Sequence, residues 1–181
     1  MKRTILVPAL LALACACASV TESSRVGSGH ADEAKAGFER IKALAGEWSG
    51  TGSSEMPTVD VRYRVTGNGS AVEETLFPGT PHEMVTMYHL DGDRLMLTHY
   101  CAAGNQPTMI AVPTGAMHGD GATIRFEFSG ATNMASKNDG HMHQAELTFE
   151  GKDHLISKWT HWQDNKPGHE ARFELTRKTA G

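Results

Sequence analysis

Cysteine is scarce in this 181-residue chain: there are three, and two of them, Cys15 and Cys17, fall within the first eighteen residues. Cys101 alone lies beyond, which excludes an intramolecular disulfide in the body of the protein. A run of basic residues is also lacking. Without Lys2 and Arg3, fifteen basic side chains face 21 acidic ones, a net charge of −6, so nucleic acid and anionic membrane surfaces are excluded as partners. After Glu47 no helical apolar period returns, so one helix and no second is expected. The apolar run in MKRTILVPALLALACACASV is too short to span a bilayer, and no transmembrane segment is expected in the mature protein. The length fits a single domain with a real core.

What is present begins with an address. Two cations, an apolar run and then small residues read as a signal peptide over 1–18, with Ala16-Cys17-Ala18 as a small-x-small cleavage site before Ser19. The protein is therefore expected in the periplasm or cell envelope. It is either soluble or held by a lipid anchor at Cys15 or Cys17, and the sequence leaves both open. Residues 19–30 are Ser/Thr/Gly-rich and aperiodic, a flexible linker. A single domain follows over 31–181. Its helix is predicted at 31–45, with Ala34, Phe38, Ile41 and Ala45 on one stripe, Asp32 and Glu33 in the first turn and Gly46 past the end.

From 47 to 177 the pattern is β throughout. The predicted strands are 47–53, 58–66, 70–77, 83–90, 94–101, 108–113, 122–128, 141–149, 154–162 and 169–177. Turn chemistry separates them: Gly67-Asn68-Gly69, Pro78-Gly79-Thr80-Pro81, Asp91-Gly92, Gly151-Lys152-Asp153, Lys166-Pro167-Gly168. Ten short strands joined by hairpins predict an all-β fold, an up-and-down antiparallel barrel with one N-terminal capping helix. An even number lets the first and last strands run antiparallel and close the ring. An open sandwich is the alternative.

Leu44-Ala45-Gly46-Glu47-Trp48-Ser49-Gly50-Thr51-Gly52, just after the helix, carries a family resemblance. Gly46-x-Trp48 resembles the G-x-W signature of lipocalins and their calycin relatives, and the longer LAGEWSGTG is similar to the opening of nitrobindin-type barrels, including exported bacterial ones. The resemblance implies ten strands, a closed end where Trp48 packs against an arginine late in the last strand, and a small ligand at the other end. Arg177 stands where that arginine belongs. Haem is among the ligands implied, with His161 or His169 to ligate it.

Counting hairpins places the chemistry. With Trp48 and Arg177 at the bottom, the loops after the odd-numbered strands lie at the top. His99 and Cys101 end a rising strand there, His141 and His143 begin a falling one, His161 ends a rising one and His169 begins the last. Alternation groups His99 and Cys101 with Leu95 and Leu97, His141 and His143 with Ala145, Leu147 and Phe149, His161 with Trp159, and His169 with Phe173, so each is expected to face inward. His82 and Glu83 open a falling strand at the same mouth. His89, His118 and His154 fall at the bottom. At the central hairpin two registers remain open: one puts Met84 opposite His99 and His82 opposite Cys101, the other Glu83 opposite His99.

Three functions fit these residues. The first is a binding module holding a small apolar or haem-like molecule at the histidine-rich end, with His82, Glu83, His99, Cys101, His141, His143, His161 and His169 as its contacts. The second is a metal site. His99-x-Cys101 and His141-x-His143 each place two donors on one side of a strand about 7 Å apart, a spacing that suits zinc or copper. Glu83 as base beside metal-bound water would then give a hydrolase. The third makes Cys101 a nucleophile with an inward histidine as base, although no Gly-x-Cys elbow mounts it. The balance favours a binder over a catalyst, and no catalytic residue is assigned.

Overall fold

The structure, a computed structural model, describes residues 28–52, 57–113 and 119–179. The expected signal peptide with Cys15 and Cys17, most of the expected linker, residues 53–56 after the first strand, and His118 lie outside the described residues. Helix α1 spans Ser28–Lys42, so the last three linker residues are helical and Asp32 and Glu33 sit a turn further in than expected. Beyond Lys42 the backbone tightens: Leu44 N donates to Ile41 O and Ala45 N to Lys42 O, each at 3.1 Å. That tighter turn brings Leu44, not Ala45, onto the buried stripe with Ala34, Phe38 and Ile41. Among the described residues no helix is long and apolar enough to cross a membrane.

Ten strands follow. On the first half of the chain they are β1 Gly46–Thr51, β2 Val59–Thr66, β3 Ala71–Leu76, β4 Met84–Asp91 and β5 Arg94–Tyr100. On the second half they are β6 Gln106–Ala111, β7 Thr123–Thr132, β8 His141–Glu150, β9 His154–Gln163 and β10 Lys166–Arg177. Each pairs with its sequence neighbour, and β1 pairs with β10 from Trp48 opposite Arg177 to Thr51 opposite Glu174, closing the ring. Closure leaves no strand without a neighbour on both sides. The architecture agrees with the calycin resemblance at the level of a closed antiparallel barrel.

Alternation fills the interior. In β5, Leu95, Leu97 and His99 are buried while Arg94 and Tyr100 are exposed. Trp48, Tyr63, Tyr88, Phe126, Leu97 and Met109 pack along the axis, each large apolar side chain contributing roughly 1.5–3 kcal/mol of burial. The helix covers the lower mouth, where Trp48 Nε1 donates to Leu44 O at 2.8 Å and the Arg177 guanidinium lies 4.3 Å over the Trp48 ring. Gly46 enters β1 at φ 134°, a conformation side chains avoid, and a Cβ there would lie 3.1 Å from Arg177 Nη1.

The central hairpin takes neither expected register. Asp91 pairs with Arg94, and Gly92-Asp93 form a two-residue loop with Gly92 at φ 63°, the positive angle such a loop needs at its first position. Thr86, rather than Met84 or Glu83, therefore stands opposite His99. Three β-bulges also break regular alternation, at Thr108/Met109 between β6 and β7, Met142/Gln144 between β8 and β9, and Pro167/Glu170 between β10 and β9. β7 continues to Thr132, which shortens the top connection to 133–140.

Candidate functional site

The structure divides the expected single cluster into two groups. The first is a polar rung across four strands. Tyr63 of β2 pairs with Glu74 of β3, Glu74 with Thr86 of β4, and Thr86 with His99 of β5. All four face inward and are buried. The Tyr63 hydroxyl donates to Glu74 Oε1 at 2.8 Å and the Tyr88 hydroxyl to Oε2 at 2.7 Å, while Thr86 bonds Glu74 and, through Oγ1, His99 Nδ1 at 2.9 Å. Burial raises the Glu74 carboxyl above the usual carboxylate range even though these three hydrogen bonds pull it down. The same burial, and then the Glu74 charge, push both phenols up.

His99 completes the rung. Its ring lies 4.7 Å from Trp159, its Nε2 has no hydrogen-bond partner, and burial lowers its pKa to about 4. Sequence reasoning placed His99 inward but missed Glu74, Tyr63, Tyr88 and Thr86. The available signal was parity: Glu74 shares a face with Val72 and Leu76, both buried.

The second group is at the top rim, where the barrel wall splits. Pairing of β7 with β8 ends at Glu127–Gln144. Above that level β7 stays with β6 up to Thr132–Gln106, and β8 stays with β9 up to His141–Trp162. The extra residue at the β8 bulge reverses parity, so Met142 takes the core side and His141 and His143 do not continue the inward row of Ala145, Leu147 and Phe149. Instead they line a pocket of about 590 Å³ between the split strands.

Rings form one wall of this pocket. His143 is stacked on Trp162 at 3.9 Å and 13° and on Phe128 at 4.9 Å and 19°, so its imidazole lies between them. His141 packs on Phe128 at 4.4 Å and reaches His143 through an Nε2–Nδ1 hydrogen bond of 2.9 Å. Ser129, Gly130 and Ala131, which follow Phe128 on β7, and Met134, Ala135, Ser136 and Lys137 of the next loop complete the lining with Asn165. The 133–140 loop is pinned in place. Asp139 Oδ2 accepts from Ala135 N and Ser136 N, Asn105 Nδ2 donates to Gly140 O at 2.8 Å, and Asp164 N donates to Asn138 O at 3.0 Å. Burial, then the His141 ring, lower the pKa of His143, with Glu127 pulling the other way.

His161 and His169 lie beside this pocket, stacked at 4.6 Å. The bulge before Glu170 leaves His169 exposed rather than inward. A Cβ at Gly140 would come within 2.8 Å of His161 Nε2, so a side chain there would have to push the ring aside. Burial first, then His169 and His141, lower the pKa of His161.

The other expected contacts are placed elsewhere. Glu83 is exposed and its Oε2 accepts from Gly79 N at 2.6 Å, closing the 78–83 turn, and His82 is exposed in the same loop. Cys101 is half-buried just past β5, its backbone N bonded to Asn105 O. Of the proposed metal donors His99, Cys101, His141 and His143, the structure joins only His141 and His143 by a direct bond. Among the described residues no three His, Cys, Asp or Glu side chains form a group that could hold a metal ion.

Compared with known proteins, the chain matches no protein-family model and has no significant match among curated proteins.

Proposed function

We propose that the protein is an exported barrel that binds a small planar molecule in the rim pocket between β7 and β9. One observation carries this reading: the Phe128–His143–Trp162 stack flanks a pocket of about 590 Å³, a volume within the range of small-molecule sites. Small residues in the lining, Gly130, Ala131 and Ala135, leave a slot beside the rings suited to a flat guest. The hydrogen bonds that pin 133–140 preorganise it, which lowers the ordering cost of binding. A haem-like macrocycle and smaller fused rings are members of the same class.

Mass spectrometry of whatever co-purifies from the native cell envelope identifies the class. Titration with a panel of fused-ring compounds, read by the fluorescence of the tryptophans, locates the site. An Ala135→Trp variant that fills the slot is expected to lose binding. Undiminished binding in that variant would place the ligand elsewhere and remove this reading.

A further inference from the structure

The hydrogen bonds around His141 and His143 have a fixed direction. His141 Nδ1 lies 2.8 Å from Asp139 O, and a carbonyl oxygen only accepts, so Nδ1 carries the hydrogen. In the neutral ring the other nitrogen, Nε2, is then a lone pair. It lies 2.9 Å from His143 Nδ1, so the His143 hydrogen must sit on that Nδ1. What remains is His143 Nε2, a lone pair on a ring clamped between Phe128 and Trp162 in the pocket wall, with no bonded partner among the described residues.

We propose that the rim pocket selects uncharged planar ligands bearing a hydroxyl or ring N–H, which donates to His143 Nε2. This rests on the pocket reading above and names the ligand class it takes. The chain Asp139 C=O, His141, His143 acts as a fixed row of donors and acceptors ending in one acceptor. A carboxylate would set lone pair against lone pair, and an ether or methylated nitrogen would offer Nε2 no hydrogen. The depressed pKa of His143 agrees, since it keeps the ring neutral and accepting at pH 7.

A matched pair of probes tests the inference: 2-naphthol, which donates, and 2-methoxynaphthalene, which has the same rings and cannot. With tag-free protein in isothermal titration at pH 7, naphthol is expected to bind about tenfold tighter, the upper end of what one net hydrogen bond contributes. In His143→Phe, which keeps a ring between Phe128 and Trp162 but has no Nε2, the ratio is expected to fall to about one. It is also expected to fall in His141→Phe, where His143 loses the acceptor that fixes its tautomer. Equal affinities in the unaltered protein, or a ratio that survives either substitution, overturn the donor selection and leave the pocket standing. Failure of both probes to bind overturns the pocket as well.

Discussion

The Arg177 guanidinium lies 4.3 Å over the Trp48 ring and donates to the carbonyls of Ala43 and Ala45, both at 2.8 Å, so the last strand fastens the turn that leads into the first. A cation over an indole face contributes about 0.5–2 kcal/mol, and hydrogen bonds from a charged donor add to it. Arg177→Ala is expected to cost about 2–3 kcal/mol in urea unfolding. Arg177→Lys should recover only part of that, because a point ammonium cannot reach two carbonyls and cover the ring together. Equal stability of the lysine variant and the unaltered protein would show that charge alone matters.

His99 should make the protein acid-sensitive. Its folded pKa of about 4 lies below the ordinary histidine value of 6.5, so the stability it contributes is fully present above 6.5 and is lost as pH falls through that value towards 4. The loss amounts to roughly 3 kcal/mol by linkage. Unfolding free energies measured from pH 7 to pH 4 should show this slope, and His99→Gln should flatten it. A parallel pH profile in the variant would mean His99 titrates normally.

Glu74 works in the opposite sense. Its carboxyl is raised in the folded state, so its contribution is fully present below the unfolded value of 4.5 and declines as pH rises through the folded pKa. The stability of Glu74→Gln relative to the unaltered protein is therefore expected to increase with pH across the acid-to-neutral range. A difference that shrinks instead would show that the phenols and Thr86 outweigh burial.

Gly140→Ala should disturb His161 first. The added methyl would meet His161 Nε2 at 2.8 Å, and the half-buried ring can move, so the cost is expected to be about 1 kcal/mol. The stack of His161 on His169 should loosen, visible as changed imidazole shifts in NMR while the core signals stay in place. Unchanged His161 shifts would show that the loop, not the ring, gives way.

The ten strands, their direction and the Trp48–Arg177 closure could be read from the sequence because each depends on local signals: alternation, glycine-bearing turns and one short motif. Residues at the site depend on register, which is not local. Histidine-x-histidine at 141 and 143 continues the alternation of HMHQAELTF without a break, and nothing in those letters announces that the bulge puts Met142 on the core side. Glu74 alternates correctly with Val72 and Leu76, yet a carboxylate on that face makes sense only once Tyr63 and Thr86 are known to stand on either side of it. That pairing follows from how two separate hairpins are set. His99 was placed inward for the right reason, but its partner Thr86 lies two residues from Met84 and three from Glu83, the partners of the two registers considered.

Because the ring shuts by joining β1 to β10, the backbone groups near position 48 that face away from β2 wait for residues near 177 before they are paired. Such distant pairing slows folding, and a chain stopped before β10 would leave one edge of β1 and one edge of β9 open to neighbouring molecules. The cylinder can therefore close only after β10 has been made and is free to meet β1.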